Sequence, residues 1–338
     1  MIKLKWKNIL GGFMKKIIIT LLIVITFFII LGENIVSEKR EIKNDNNIAK
    51  VYIPDGTPAI GMAKMVSSKE NIKDLSMKYE IEGTPDTLVA EVMKENPDIS
   101  IVPSNLAAQA YNKGLDYEII GTVGFGSLYL ISTEGEAKLE DLKGKEVFGI
   151  GKGLTPDLVF KTILKEKNLI DKINLSYVGG GTEILPAVLS GKAKYAVVPE
   201  PALSTLMSKN KNIKIILNLN KEWEKIFGVE EGFPQSTIIA KKILIKNNKE
   251  FIDLFLEKVE TSILFSNENK DEVIELFINN GGKINKDIAS KSIENSNLKF
   301  KKAKETKEEY IKYYEILEKE NSKSIGGKVP DEKIFYEG

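Results

Sequence analysis

From residue 48 onward, short β-branched runs alternate with stretches whose apolar positions recur at helical spacing, a pattern that predicts an α/β architecture. Strands are predicted at 50–53, 76–81, 99–102, 117–122 and 128–132, with helices opening near Pro58, Pro85 and Ser104. A second series places strands at 147–150, 175–178, 195–198 and 213–218, with helices starting near Pro156, Thr182 and Glu200. After a further strand at 235–240 the pattern turns helical, with amphipathic stretches at 250–265, 271–279, 286–294 and 307–319.

The two series read as copies. Thr57-Pro58 opens the first helix of one, and Thr155-Pro156 that of the other, 98 residues later. Val102-Pro103-Ser104 closes a strand in the first, and Val198-Pro199-Glu200 does so 96 residues later. A near-constant offset within the same strand–turn–helix context predicts a pseudo-duplicated pair of lobes. Thr before Pro suits a helix N-cap followed by a first residue that needs no donor; Thr84-Pro85 reads as an ordinary helix start. Each junction follows a strand and so lies at a sheet's carboxyl edge, where open α/β sheets bind ligands. Free amides at such helix starts favour partial negative charge.

Ahead of this region, Lys15-Lys16 precede an apolar run from Ile17 to Leu31, interrupted only by Thr20 and Thr26. Those proportions predict a secretory signal peptide or N-terminal anchor over residues 1–32, with Met14 as an alternative start. Residues 33–47 read as a polar linker, and cleavage would fall near Gly32 or Ser37. The folded part is thus expected to be extracytoplasmic.

Composition narrows the chemistry. The 49 basic and 48 acidic residues give a net charge of +1, so no basic field points to nucleic acid. The chain has neither cysteine nor histidine, which excludes thiolate nucleophiles, Cys/His zinc sites and Ser-His-Asp triads. Its single arginine, Arg40, precedes the α/β region, so a cleft there holds no guanidinium fork. Gly124-Phe125-Gly126-Ser127 lacks the last glycine of a nucleophile elbow, and Gly149-Ile150-Gly151-Lys152-Gly153 lacks a phosphate-loop Lys-Ser/Thr pair. The latter reads as the turn into the second lobe's cleft. Asp55 and Glu200 could pair as acid and base, although carboxylates on opposite lobes more often meet donors on a ligand.

Four segments carry a family resemblance: Pro54-Asp55-Gly56-Thr57-Pro58-Ala59, Val102-Pro103-Ser104-Asn105-Leu106-Ala107-Ala108, Val198-Pro199-Glu200-Pro201 and Ser324-Ile325-Gly326-Gly327-Lys328-Val329-Pro330-Asp331. Together they resemble the ABC-transporter substrate-binding proteins of the nitrate/sulfonate/taurine and thiamine-pyrimidine-like group, over residues 48–338. The resemblance implies a two-lobed type II periplasmic-binding-protein fold, each lobe a mixed sheet flanked by helices, with two hinge crossings. Lobe one would comprise residues 48–131 and 237–338, lobe two residues 132–236, with crossings near 131–133 and 233–236.

By position, the cleft would be lined by Asp55, Thr57, Ser104, Asn105, Thr155, Thr182, Glu183 and Glu200, with Phe125, Ser127 and Gln235 near the hinge. Some relatives carry Gly-Pro-Thr-Gly where this chain has Gly56-Thr57-Pro58-Ala59, so their ligands do not transfer. The implied partners are a small-molecule solute and the permease subunits of an ABC importer, with the chain itself expected to be monomeric and to need no cofactor. An enzyme on the same fold, related to thiamine-pyrimidine synthesis, is the rival reading, but that chemistry depends on histidine and cysteine. A sensor domain for a separate membrane partner is another.

Other features have plainer readings. Trp223 is expected to be a core or lobe-edge aromatic, with Phe227 one helical turn on. Tyr310, Tyr313 and Tyr314 are expected to pack on lobe one, and the lysines of 299–307 to form a solvated face.

Overall fold

A computed structural model of the chain describes residues 47–179, 181–283 and 285–338. The N-terminal signal or anchor and all of the linker but Asn47 lie outside the described residues. No described helix is long and apolar enough to cross a membrane.

The first series folds as β1 (Ile48–Pro54), α1 (Thr57–Ser68), β2 (Ser76–Glu82), α2 (Pro85–Met93), β3 (Ile99–Pro103), α3 (Ser104–Asn112) and β4 (Tyr117–Phe125). The second folds as β5 (Leu128–Ser132), β6 (Glu146–Ile150), α4 (Thr155–Glu166), β7 (Asn174–Val178), α5 (Gly181–Leu189), β8 (Tyr195–Pro199), α6 (Ala202–Lys209), β9 (Lys214–Asn218) and α7 (Leu219–Phe227). The chain then returns through β10 (Pro234–Lys241), α8 (Lys242–Asn247), α9 (Lys249–Glu268), α10 (Lys270–Asn279), α11 (Lys286–Asn295), β11 (Leu298–Lys302) and α12 (Lys307–Asn321).

Two mixed sheets result, ordered β11-β4-β10-β3-β1-β2 and β7-β6-β8-β5-β9. Leaving aside the edge strand β11, the two orders superimpose: β1, β2, β3 and β4 correspond to β6, β7, β8 and β9. In each sheet the strand between the third and fourth is antiparallel to both and comes from the other half of the chain: β10 in the first, β5 in the second. Residues Val102-Pro103 pair with Ser236 and Thr237, and Val198-Pro199 pair with Leu128 and Tyr129. The duplicated junctions therefore sit at equivalent places, as the sequence offset requires.

Strand pairing shifts the crossings. Leu128 to Ile131, expected with the first lobe, pair in the second sheet, so the chain changes sheet at Gly126-Ser127 rather than at residues 131–133. It returns between Phe227 and Pro234. The reason is steric. A side chain on Gly126 would place its Cβ 2.3 Å from the Phe233 ring and 2.5 Å from Asn220 Oδ1, so only glycine lets the crossings touch. Gly126 N donates to Phe233 O at 3.0 Å. Buried Asn220 ties the return crossing down: its Nδ2 donates to Glu231 O at 3.0 Å, and its Oδ1 accepts from Phe233 N at 3.1 Å.

One face of the first sheet packs on α1, α9 and α10 (Ile60, Met62, Phe255, Ile263, Phe277), and one face of the second on α5 and α6 (Ile184, Val188, Leu203). The opposite faces share one continuous core that joins both lobes through α3, α4, α7 and α12. At its centre Trp223, Phe233 and Tyr313 lie with ring centroids 5.6–6.1 Å apart, all essentially without solvent contact. At about 25 cal/mol per Å² and roughly 150–250 Å² per ring, each contributes on the order of 4–6 kcal/mol before entropy is counted. Trp223 is thus a core residue. The tyrosines of α12 are as buried as expected: Tyr310 and Tyr314 hydrogen-bond to Thr122, Thr237 and Ser104 of the first lobe, whereas Tyr313 reaches Thr155 and Trp223 of the second.

β11 lies within the lysine-rich run expected to be merely solvated. Its Lys299 and Lys301 ammonium groups reach buried Glu231 at 2.5 and 3.5 Å.

Candidate functional site

The carboxyl ends of β1, β3, β6, β7 and β8 carry the residues that sequence reasoning singled out. At the first, Asp55 N donates to Glu82 O at 2.9 Å, and Asp55 Oδ1 accepts from Gly56 N at 2.9 Å. Gly56 is the N-cap of α1, with φ 110° and ψ −148°, a backbone state essentially reserved for glycine. It is buried, yet apart from its chain neighbours no atom lies within 4 Å of where a Cβ would stand, so that side of the backbone faces open space.

The cap reading needs correction at both copied junctions. Gly56 and Leu154 are the N-caps, and Thr57 and Thr155 are the first helical residues, with no side-chain cap bond at either helix. The turn before each helix takes the cap position, which pushes the threonine one residue inward. The cap geometry instead occurs at Thr84, whose extended backbone lets Oγ1 accept from Thr87 N at 3.3 Å.

Thr155 Oγ1 lies 2.8 Å from the Tyr313 hydroxyl, which burial pushes well above its ordinary pKa and so keeps protonated. The loop before it is held by Asp157, a residue the sequence reading missed. Its buried carboxylate accepts from Gly153 N at 2.7 Å, Lys161 Nζ at 2.9 Å and the Tyr177 hydroxyl at 2.6 Å. The signal was present: an acidic residue in the first turn of a helix is placed to accept from free amides at the helix start.

Ser104 is buried in a chain of hydroxyls. Its Oγ donates to Pro234 O at 2.9 Å and lies 2.7 Å from Thr237 Oγ1, which is 2.6 Å from the Tyr310 hydroxyl. Tyr310 lies 2.8 Å from Thr122 Oγ1, and burial lifts its pKa to about 12. Asn105 Nδ2 donates to Ser324 O at 3.3 Å, beside Gln109 Nε2 on the same oxygen at 2.8 Å. That contact links α3 to the Ser324-Ile325-Gly326-Gly327 turn.

At the hinge the expected residues do meet. Ser127 N donates to Gln235 Oε1 at 2.8 Å, and Gln235 Nε2 donates to Ser127 Oγ at 3.1 Å. Glu200 N donates to Ser127 O at 3.2 Å, while Phe125 is buried at the end of β4. The Glu200 side chain is 6% exposed and fully engaged. Oε1 accepts from Ser204 Oγ at 2.8 Å and Asn295 Nδ2 at 3.0 Å, and Oε2 from Ser204 N at 3.2 Å. Burial raises this carboxyl above its ordinary value of 4.5, against the lowering effect of hydrogen bonds from Ser204, Asn295 and Ser292. Glu183 Oε2 accepts from Gly179 N at 2.8 Å and so closes its own loop. The Thr182 side chain lies outside the described residues.

The candidates thus divide by environment. Ser127, Gln235 and Glu200 come together at the hinge. Ser104, Asn105 and Thr155 are tied to α12 and the turn after it. Asp55 and Thr57 flank the open space at Gly56, and among the described residues the Thr57 hydroxyl has no hydrogen-bond partner. Among the described residues no cluster of three or more carboxylates is placed to hold a metal ion.

Comparison with known proteins adds three results. Residues 55–315 match a family model described as menaquinone biosynthesis. No curated protein sequence matches the chain. Among solved structures, one described as an ABC transporter from Parabacteroides distasonis is 25% identical and covers 86% of this chain and 99% of its own, with a TM-score of 0.75. The periplasmic aliphatic sulphonate binding protein of Escherichia coli is 13% identical, with 86% and 94% coverage and a TM-score of 0.67. An alkanesulfonate-binding protein from Xanthomonas axonopodis pv. citri, bound to MOPS, is 12% identical, with 84% and 95% coverage and a TM-score of 0.60. The fold is therefore the two-lobed fold of the ABC-transporter substrate-binding proteins that the sequence resembles.

Proposed function

Because the chain belongs to the menaquinone-biosynthesis family, whose model spans most of the α/β region, and has the fold of solute-binding proteins, we propose that it captures a small molecule between its lobes and delivers it to an ABC importer outside the cytoplasmic membrane. The observation that carries this reading is the open space over the Gly56 backbone, at the start of α1 and next to the Asp55 carboxylate that accepts from Gly56 N. A buried glycine with room above its Cα lets a ligand approach the backbone closely, and the amides of the first turn have no intrahelical acceptor. The export expected from Lys15-Lys16 and the apolar run to Leu31 fits an extracytoplasmic site.

The solute we assign to this cleft is a neutral or zwitterionic heterocycle. Asp55 offers an acceptor to amino or ring N–H groups, and helix N-termini suit a partially negative edge. The only arginine stands upstream of the fold, so a carboxylate anchored by a guanidinium fork has no counterpart here.

A second reading is an enzyme of the same fold acting in menaquinone biosynthesis, which the family description favours. The two separate on the fate of the ligand. Dialysing the protein against a metabolite extract and analysing what it retains should yield a compound bound unchanged and in stoichiometric amount. Steady depletion of one compound with appearance of another would instead establish catalysis.

A further inference from the structure

The lobes meet on the α12 side through a buried aromatic core, with Tyr313–Thr155 and Asn321–Gly153 hydrogen bonds beside it, and on the α11 side through hydrogen bonds made by Asn295. Under α12 they share the continuous apolar core of Trp223, Phe233 and Tyr313, which cannot part without exposing aromatic surface to water. On the α11 side, where α11 packs on α6, the joining hydrogen bonds are polar ones that water can replace. Asn295, the last residue of α11, makes two of them. Its Nδ2 donates to Glu200 Oε1 at 3.0 Å, and its backbone O accepts from the Tyr129 hydroxyl at 2.6 Å. Glu200 and Tyr129 belong to the second lobe, on the turn before α6 and on β5. Asn295 belongs to the first, three residues before β11, which pairs with β4.

We propose that Asn295 and Glu200 form a latch that holds the cleft shut on the α11 side, with the aromatic core under α12 as the fixed pivot. The proposal rests on the solute-binding reading for its purpose, since the latch would govern entry and release. Its geometry stands independently of any ligand. Glu200 has a partner within its own lobe in Ser204, so its carboxylate keeps two hydrogen bonds when Asn295 moves away. Opening therefore does not strand a buried charge, which is what a reversible latch requires. On the opposite side, parting the lobes would draw Tyr313 away from Trp223 and Phe233 and expose that aromatic surface.

The absence of cysteine permits a direct test by site-directed spin labelling. Lys209→Cys on α6 and Lys291→Cys on α11, both exposed, place one label on each side of the latch. Distances would be measured without added ligand in the otherwise unaltered chain and with Asn295→Ala or Asn295→Asp. The latch requires a second, longer distance population in Asn295→Ala. It requires a larger one in Asn295→Asp, which sets a carboxylate against Glu200. A Tyr313→Phe control, which removes the hydrogen bond to Thr155 between the lobes but keeps the ring of the pivot, should leave the distribution unchanged. Folding is monitored by circular dichroism, and Asn295→Ala serves alone if the aspartate variant does not fold. Unchanged distances in folded Asn295→Ala would overturn the latch, whatever the dialysis experiment says about solute. Retention of a solute with unchanged distances would remove the latch and leave the binding function standing.

Discussion

Ser127 and Gln235, 108 positions apart, clasp one another where the chain passes between lobes: Ser127 N to Gln235 Oε1 at 2.8 Å, and Gln235 Nε2 to Ser127 Oγ at 3.1 Å. Ser127 is 2% exposed, so its amide has no water to turn to. Gln235→Ala should cost about 1–3 kcal/mol by leaving that donor unsatisfied. Denaturant unfolding of the two proteins measures it, and equal midpoints would show that the clasp contributes nothing.

Asp157 anchors the loop that leads into α4. Replacing it with Asn keeps the shape but removes the charge that faces Lys161 and forces an amide N–H toward one of three donors. The loss should be about 1.5–3 kcal/mol, appropriate to hydrogen bonds with a charged acceptor. Amide hydrogen exchange at Gly153 should rise selectively, because its N–H bonds to the carboxylate. Unaltered protection at Gly153 would rule out this role.

Glu200 makes a pH-dependent prediction with a definite sign. Its folded pKa is raised, so the folded state holds that proton more tightly than the unfolded chain does. The associated stability is fully present below the unfolded value near 4.5 and is lost as pH rises through the folded pKa. The stability of the parent relative to Glu200→Gln should therefore fall as pH is raised from about 4 toward neutrality, whatever the constant offset of the substitution. A difference that is flat, or that grows with pH, would show that hydrogen bonding outweighs burial at this carboxyl.

All of the strands predicted from periodicity are present, and the duplicated topology was legible from two dipeptides at nearly constant offset. β11 was not, because Leu298-Lys299-Phe300-Lys301-Lys302 pairs along a lysine-rich edge where hydrophobic alternation is weak. The Thr-Pro junctions fixed where helices begin but not which residue caps them, since the preceding turn decides that. The candidate site was legible as a set of sheet-edge positions rather than as contacts. That Ser127 meets Gln235 followed from the hinge; that Thr155 meets Tyr313, and Glu200 meets Asn295, depends on how α12 and α11 return across the lobes, which no local pattern encodes.

The central claim is that a small molecule occupies the open space over the Gly56 backbone. Gly56→Ala puts a methyl group into that space and forces a φ of 110° on an L-residue, at a strain of roughly 1–3 kcal/mol. Gly191→Ala is the matched control, with a positive φ of 78° at an exposed turn and nothing within 4 Å of its Cβ. Small molecules released on denaturing each protein, purified from the same cells, would be identified and quantified by mass spectrometry. The expected result is one compound near a one-to-one ratio in the parent and in Gly191→Ala, and its loss from a folded Gly56→Ala. An equal amount in folded Gly56→Ala would contradict the assignment of the ligand to this space.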